Sequence, residues 1–169
     1  MDPVGTLVGS LVGSMWAFVQ PNLWWIVPLV VARLVFVFPM PGRGPRSSTR
    51  DVWRGFKYGP RAEVLKRAGE RCEGALMLAW GRCGRPAVEV DHVFPYSKGG
   101  PTVVSNGQAT CKHHNRSKGS TTPSWWYVLA LEKRRRTYFP DGADVRVLAV
   151  MTASDFAERE RGASGRGGR

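Results

Sequence analysis

The side chains best suited to hydrolytic chemistry lie between residues 71 and 119, which hold all three cysteines and all three histidines of the chain. The carboxylate of Asp91 is a hard oxygen ligand of the kind that Mg2+ or Mn2+ prefers. The next residue, His92, has an imidazole with an ordinary pKa of about 6.5, so it can accept a proton from water near neutral pH. Asn115 can supply a second ligand through its carbonyl oxygen. This combination predicts a site for metal-assisted hydrolysis of a phosphodiester.

A second group of residues has the composition of a structural zinc site. Cys72, Cys83, Cys111 and His114 form a four-ligand set that leaves no thiol over, whereas three cysteines cannot all pair as disulfides. The Cys-x2-His spacing at the end of the set suits a turn that leads into a helix. The ten-residue gap between the first two cysteines is wider than usual, and His113 is a neighbouring alternative to His114.

Basic residues are concentrated around the same segment. The chain has a formal net charge of +12, and residues 43–119 carry 15 Lys and Arg against 6 Asp and Glu. This bias predicts a polyanionic partner or an anionic membrane face, although a solvated basic surface would give the same count. Beside the chemical groups, Lys98, Lys112, Arg116 and Lys118 are the candidates to hold nucleic-acid phosphates.

Short elements must position these groups. The β character of Ala87 to Phe94 predicts a strand, on which Asp91 and His92 would point to opposite faces. They can serve one phosphate only if the chain bends there or if Asp91 reaches the metal from the side. Lys112 to Lys118 is predicted to be a short helix that ends at Gly119. Four further elements are expected: a helix in 61–71, a helix capped by Ser124 that runs to Arg136, a strand from Val145 to Val150, and a helix over 155–160 capped by Ser154.

The N-terminal segment differs in kind from the rest. No charged residue occurs from Val4 to Ala32, a length that can cross a bilayer. Pro21 divides it, so we expect either one kinked span or a hairpin of two short helices. Nine Lys and Arg from residue 43 to residue 71 then predict a cytoplasmic C-terminal side. A signal peptide, a buried helix of a soluble protein and translation from Met40 are the alternatives.

The segment VEVDHVFPYSKGG…SNGQATCKHHNRSKG resembles the HNH endonucleases, the ββα-metal family, and the likeness covers roughly residues 62–119. The resemblance implies that His92 is the general base and that Asp91 and Asn115 bind the divalent ion. It also implies that Asn106 braces the loop that orients the base. With Asn in the third position the chain is an HNN variant, and its cysteines match the zinc knuckles of many members.

The expected fold is therefore α+β: a ββα-metal (HNH) core with a structural zinc site, preceded by an apolar helical segment of transmembrane type. The expected divisions are an apolar membrane segment 1–40, a basic linker 41–60, the nuclease core 61–120, a helical and strand extension 121–161, and a disordered tail 162–169.

The expected function is Mg2+- or Mn2+-dependent endonucleolytic hydrolysis of DNA, with Zn2+ in a structural role. The family implies 3′-hydroxyl and 5′-phosphate ends. The protein is expected to be anchored in the membrane with its nuclease domain in the cytoplasm, or to be cytoplasmic if translation starts at Met40. The alternatives are a non-catalytic zinc-binding module that binds DNA and a membrane protein whose basic domain contacts anionic lipid.

Overall fold

The computed structural model describes residues 3–38, 43–45, 50–75 and 81–164, and the chain divides into two units, residues 1–38 and 39–169. Parts of the expected linker and tail lie outside the described residues, and so does Met40. Each unit is described by itself below.

The first unit is helical throughout its described length. Helix α1 (Pro3–Val19) continues through a 3-10 turn (Gln20–Asn22) into helix α2 (Leu23–Val37). The backbone keeps right-handed helical angles through Asn22 and Leu23, so the chain does not reverse as a hairpin would require. The side chain of Asn22 donates to the carbonyl of Phe18 at 2.6 Å, and Trp25 Nε1 donates to Asn22 Oδ1 at 2.8 Å. These bonds support the helix beside Pro21, which has no N–H to donate.

The helical stretch Leu7–Leu34 is predominantly apolar, with Arg33 as its one charged residue. It spans 28 residues with a mean hydropathy of 1.4, and none of its most apolar window is buried. At about 1.5 Å per residue it exceeds the roughly 30 Å hydrocarbon thickness of a bilayer. By length and composition it qualifies as a membrane span, and an N-terminal signal sequence would qualify in the same way.

The second unit is an α+β arrangement built on a two-stranded antiparallel sheet. Strand β1 (Glu89–His92) pairs with strand β2 (Gly107–Thr110), with Glu89 opposite Thr110 and His92 opposite Gly107. Its helices are α3 (Tyr58–Arg67), α4 (Lys112–Lys118), α5 (Trp125–Arg135) and α6 (Ala153–Ser164).

Two apolar clusters form the core of this unit. One packs α5 against the end of β1 and the segment before α6, and its buried members are Val93, Phe94, Val128, Leu131, Val147 and Ala149. The other packs α3 under the sheet, and its buried members are Phe56, Val64, Ala68, Ala87 and Ala109. Phe56 lies in the stretch expected to be a linker, so residues 50–57 contribute to the folded unit.

A buried ion pair joins α5 to the sheet. Glu73 and Arg135 have fully buried side chains, with Arg135 Nε 2.8 Å from Glu73 Oε1. The other carboxylate oxygen of Glu73 accepts a hydrogen bond from the backbone N–H of Ala109 at 2.8 Å, and Tyr138 donates its hydroxyl to Oε1 at 2.9 Å. Because the pair has these further partners, the cost of burying two charges is offset.

The ends of the helices agree in part with the sequence. Helix α5 is capped as expected, since Ser124 Oγ accepts from the N–H of Tyr127 at 3.2 Å. Helix α4 ends at Gly119, where φ is +52°. The prediction for α6 was wrong in detail, because Thr152 and not Ser154 precedes the helix and pairs with Asp155. Thr152 is better placed because its hydroxyl both donates to Asp155 and accepts from its backbone N–H.

The expected strand from Val145 to Val150 is not formed. Consecutive backbone N–H groups in this segment find unrelated acceptors and no neighbouring strand. Val147 donates to the side chain of Glu132 at 2.8 Å, Leu148 to the carbonyl of Ser105 at 3.3 Å, and Ala149 to the carbonyl of Arg43 at 3.2 Å. The alternating apolar residues Val147 and Ala149 are buried although the segment forms no backbone hydrogen-bond ladder with another strand among the described residues. The sequence pattern therefore reflects an extended segment packed against the core.

Candidate active site and metal centres

The cysteines and His114 come together where a short hairpin meets the start of α4. Cys72 N donates to the carbonyl of Arg85, and Cys83 N donates to the carbonyl of Gly74, each at 2.9 Å, so the two cysteines lie on paired arms. These backbone hydrogen bonds bring Cys72 and Cys83 together despite the ten residues that separate them in the sequence. Cys111 is the N-cap residue of α4 and His114 lies in its first turn.

The ligand atoms of the four side chains lie close enough together that the cluster could hold a metal ion. Their ligand atoms all lie within 4.8 Å of one another, and the three cysteines are buried. His114 Nδ1 lies 3.4 Å from the sulfurs of Cys72 and Cys111, while its Nε2 lies 3.2 Å from the carbonyl of Ala75. A ligand imidazole that donates its other N–H to a carbonyl is typical of a metal site. The cluster could therefore hold a metal ion, and His113 is exposed outside it.

The close approach of Gly74 to His114 and the lowered pKa of Cys111 support this fit. A Cβ atom on Gly74 would lie 2.5 Å from the ring of His114, so glycine is required for the ring to approach the hairpin. Burial raises the pKa of the Cys72 thiol to about 11, which favours the protonated thiol and does not itself support metal binding. Burial also raises the pKa of Cys111, but hydrogen bonds from the backbone and ring of His114 and from Cys72 outweigh it and lower that pKa to about 6. A thiolate is the form that binds zinc.

The proposed Mg2+ ligands lie on β1 and α4. Residues two apart on a strand share a face, so Glu89 and Asp91 lie on one side of β1. There Asn115 Nδ2 donates to Glu89 Oε2 at 2.5 Å, and Lys118 Nζ lies 2.9 Å from Asp91 Oδ2. Both partners come from α4, so that helix carries the second half of the site to the carboxylates.

Asp91 has the features of a cation ligand. Its buried Oδ2 atom has the ammonium of Lys118 at 2.9 Å and no other hydrogen-bond donor among the residues that the structure describes. The ammonium of Lys118 pairs with it and also donates to the carbonyl of His92 at 2.6 Å. A positive charge therefore already occupies this position, and the donor set of carboxylate, amide and carbonyl oxygens fits Mg2+ or Mn2+.

His92 lies in a different environment from Asp91. Its ring is buried against Phe56, with ring centroids 4.7 Å apart, and near Tyr96, at 5.9 Å. Burial lowers the pKa of His92 to about 4; the carboxylates of Asp91 and Asp51 oppose that shift and Lys118 adds to it. The imidazole is thus neutral at pH 7 and has a lone pair able to accept a proton.

Asn106 holds the loop that follows the Asp-His pair. It is fully buried; Phe94 N donates to its Oδ1 at 2.9 Å, and its Nδ2 donates to the carbonyls of Phe94 and Pro101 at 3.1 and 2.9 Å. In the same loop a Cβ atom on Gly100 would lie 1.8 Å from the carbonyl oxygen of Phe94, so the close turn requires glycine. The side chain of Asn106 thus fixes both ends of the segment from Phe94 to Pro101.

The proposed phosphate-binding residues divide into two kinds. Lys98, Lys112 and Arg116 are exposed and available to a polyanion, whereas Lys118 is half-buried in its ion pair with Asp91. These four residues could be grouped from the sequence because a sequence shows the charge and position of a residue but not the ion pairs that it forms.

Two polar residues of the site were not singled out from the sequence. Glu89 precedes Asp91 by two positions, and that spacing on a strand could have indicated a shared face. Thr102 Oγ1 lies 3.0 Å from His92 Nε2. No local pattern relates those two residues, because the contact depends on the turn between them.

Comparison with protein families gives a match in the second unit. Residues 81–121 match the family described as HNH endonuclease, and this segment includes β1, β2 and α4. The match leaves residues 50–75 and 122–164 of the folded unit outside it. No curated protein matches the chain, and no solved structure matches it.

Proposed function

Since the chain carries an HNH endonuclease domain at residues 81–121, we propose that it is a divalent-metal-dependent endonuclease that hydrolyses DNA and leaves 3′-hydroxyl and 5′-phosphate ends. The observation that carries the proposal is the buried Oδ2 atom of Asp91, which already faces a cation, the ammonium of Lys118 at 2.9 Å. Asn115 lies on the same side of the sheet, and a neutral, buried His92 follows at the end of β1.

In this proposal Asp91 and Asn115 would hold Mg2+ or Mn2+, and the bound ion would supply charge neutralisation at the phosphate and at the leaving oxygen. His92 takes a proton from the attacking water, which its neutral state permits. Asn106 keeps the intervening loop in place. Lys112 and Arg116 present charge to flanking phosphates, which orients the strand without reading its sequence.

The zinc cluster has a structural role in this account. All four ligand positions are filled by Cys72, Cys83, Cys111 and His114, so no position is left open for substrate, as catalytic zinc requires. A zinc ion there would join the hairpin to α4, and α4 carries Asn115. The structural ion would thus fix the position of a ligand for the catalytic ion.

We further propose that α1 and α2 anchor the enzyme in a membrane with the nuclease unit in the cytoplasm. The 28-residue apolar stretch is long enough to cross a bilayer, and the nine Lys and Arg of residues 43–71 follow it on one side. In that arrangement the anchor restricts where the enzyme meets DNA and leaves its chemistry unchanged.

The test is a cleavage assay of the purified full chain on plasmid, linear duplex, single-stranded DNA and RNA of matched length. We expect DNA cleavage that requires added Mg2+ or Mn2+. Brief addition of a chelator to the reaction should stop the cleavage. Ligation and end-labelling should then identify 3′-hydroxyl and 5′-phosphate termini. Metal-independent DNA binding with no cleavage in any arm would instead support a non-catalytic DNA-binding module.

A further inference from the structure

We propose that Thr102, held in place by the Asp51–Arg159 ion pair, is a positioning residue that fixes the tautomer of His92, with the proton on Nε2 and the lone pair on Nδ1. The role of His92 as the base rests on the proposed function. The hydrogen-bond arrangement itself rests on contacts in the folded unit.

The hydroxyl of Thr102 has one hydrogen to donate. It donates that hydrogen to the backbone carbonyl of Trp53. The same oxygen lies 3.0 Å from His92 Nε2, so this second contact must use an oxygen lone pair. His92 therefore carries its proton on Nε2, and in the neutral ring Nδ1 is left unprotonated.

The backbone of Thr102 is fixed on both sides. Its N–H donates to Asp51 Oδ2 at 2.9 Å, and its carbonyl accepts from Arg159 at 2.8 Å. Arg159 in turn donates two hydrogen bonds to the Asp51 carboxylate, at 3.1 and 3.0 Å. The side chains of Asp51 and Arg159 are 1% and 8% exposed, so solvent does not screen the pair.

The acceptor of the hydroxyl is fixed by the same ion pair. Trp53 N donates to Asp51 Oδ1 at 3.0 Å, and the guanidinium of Arg159 lies over the Trp53 ring at 3.8 Å from its centroid. The hydroxyl of Thr102 is thus set between a carbonyl and an imidazole, and one buried pair controls the orientation of both Thr102 and Trp53.

The other aromatic neighbours of His92 do not compete for this role. Phe56 has no hydrogen-bonding group. Tyr96 uses its hydroxyl to donate to the carbonyl of Asp51 at 2.7 Å. Asp51, Trp53 and Arg159 all lie outside residues 81–121, so segments before and after the matched region complete the setting of the proposed base.

The direct test is NMR of histidine-labelled, zinc-loaded full chain in detergent without Mg2+. The chain has three histidines, and His92→Gln assigns the resonances of interest. We expect His92 to show a protonated Nε2 and an unprotonated Nδ1. Thr102→Val should release the ring into a mixture of tautomers, whereas Thr102→Ser, which keeps the hydroxyl, should preserve the wild-type pattern.

Steady-state kinetics provide the second readout. Thr102→Val should lower kcat by roughly 10- to 100-fold with little change in KM, because it disturbs proton transfer and no phosphate contact. Thr102→Ser should restore most of the rate. Arg159→Gln should shift both readouts in the same direction as Thr102→Val. Arg43→Gln is the matched control, since it breaks the Arg43–Glu132 ion pair, which does not touch Thr102.

The outcomes separate the two hypotheses. A wild-type His92 protonated on Nδ1, or an unchanged tautomer in folded Thr102→Val, would overturn the positioning role. If Thr102→Val fails to fold, the Arg159→Gln variant provides the test. A wild-type His92 tautomer and a wild-type kcat in that variant would overturn the proposal that the Asp51–Arg159 ion pair positions Thr102. The expected tautomers in a wild-type protein that cleaves no nucleic acid would support the hydrogen-bond arrangement and reject the endonuclease.

Discussion

Glu89 and Asn115 are paired across β1 and α4 by a hydrogen bond from the amide nitrogen. This bond occupies the nitrogen and leaves the amide oxygen of Asn115 as the atom available to a cation. Asp91, two residues along the strand, faces the same side. The orientation of a proposed ligand is thus set by a carboxylate outside the Asp-His motif.

Replacing Glu89 by alanine should therefore weaken Mn2+ binding by about 10- to 100-fold, the usual range for a residue that orients a metal ligand. Glu89→Gln should retain much of the affinity because its carbonyl can still accept from Asn115. Mn2+ affinity can be measured by electron paramagnetic resonance on the zinc-loaded protein. Glu63→Ala, an exposed change of the same charge on α3, is the control. Equal affinities for Glu63→Ala and Glu89→Ala would contradict the orienting role.

At the element scale, the cluster of Cys72, Cys83, Cys111 and His114 joins the cysteine hairpin to the start of α4, and we propose that it holds zinc. A structural zinc site contributes its binding free energy to folding. His114→Ala should weaken zinc binding by at least about 100-fold, or about 2.8 kcal/mol, and lower Tm. His113→Ala is the matched control, because the adjacent ring is exposed. Zinc content and thermal unfolding test both variants, and equal zinc loss in the two would reject this ligand assignment.

Helix α6 is tied to the segment before α3 through Asp51 and Arg159. Burial raises the pKa of Asp51, but hydrogen bonds from Arg159, Trp53 and Thr102 outweigh it, so the pKa in the folded state is lowered. The stabilisation is therefore fully present above the ordinary Asp pKa of about 3.9 and is lost as the pH falls through the lowered value.

Wild-type protein should accordingly lose more stability between pH about 5 and about 2 than Asp51→Asn, because the variant has no carboxylate to protonate. The free energy of unfolding across that range is the measurement. Asp141→Asn, at an exposed position, should behave as wild type. Parallel pH profiles for wild type and Asp51→Asn would show that this pair does not carry the expected linkage.

The sequence indicates the elements of this unit better than the contacts between them. The Asp-His pair, the Cys-x2-His spacing and Gly119 are local patterns, so β1, α4 and the four-ligand cluster could be predicted. Thr102 is 51 residues from Asp51, and Arg159 is 108 residues from it. Such contacts depend on tertiary packing and leave no periodicity in the chain. The predicted strand from Val145 to Val150 was wrong for the same reason. Alternate residues of that segment are buried by tertiary packing, which does not require a neighbouring strand.

At the scale of the whole molecule, a strongly apolar helical unit and a basic folded unit occur in one chain. If the helices enter a membrane, the full chain should sediment with membranes and remain there in about 1 M salt, where the Debye length is only about 3 Å. A protein held by its basic surface alone would be released. Residues 40–169 should be soluble and should still cleave DNA, because all the proposed catalytic groups lie in them. Full-length protein that is soluble without detergent would contradict the anchor.

The central claim is that His92 is the base of a metal-dependent endonuclease, and it is tested most directly by comparing two histidine variants on supercoiled plasmid. With Mg2+ present, His113→Ala should nick at the wild-type rate. His92→Ala should be slower by at least about 100-fold while binding the plasmid with wild-type affinity, because it removes proton transfer and leaves the phosphate contacts intact. Cleavage by His92→Ala at the wild-type rate would contradict the account.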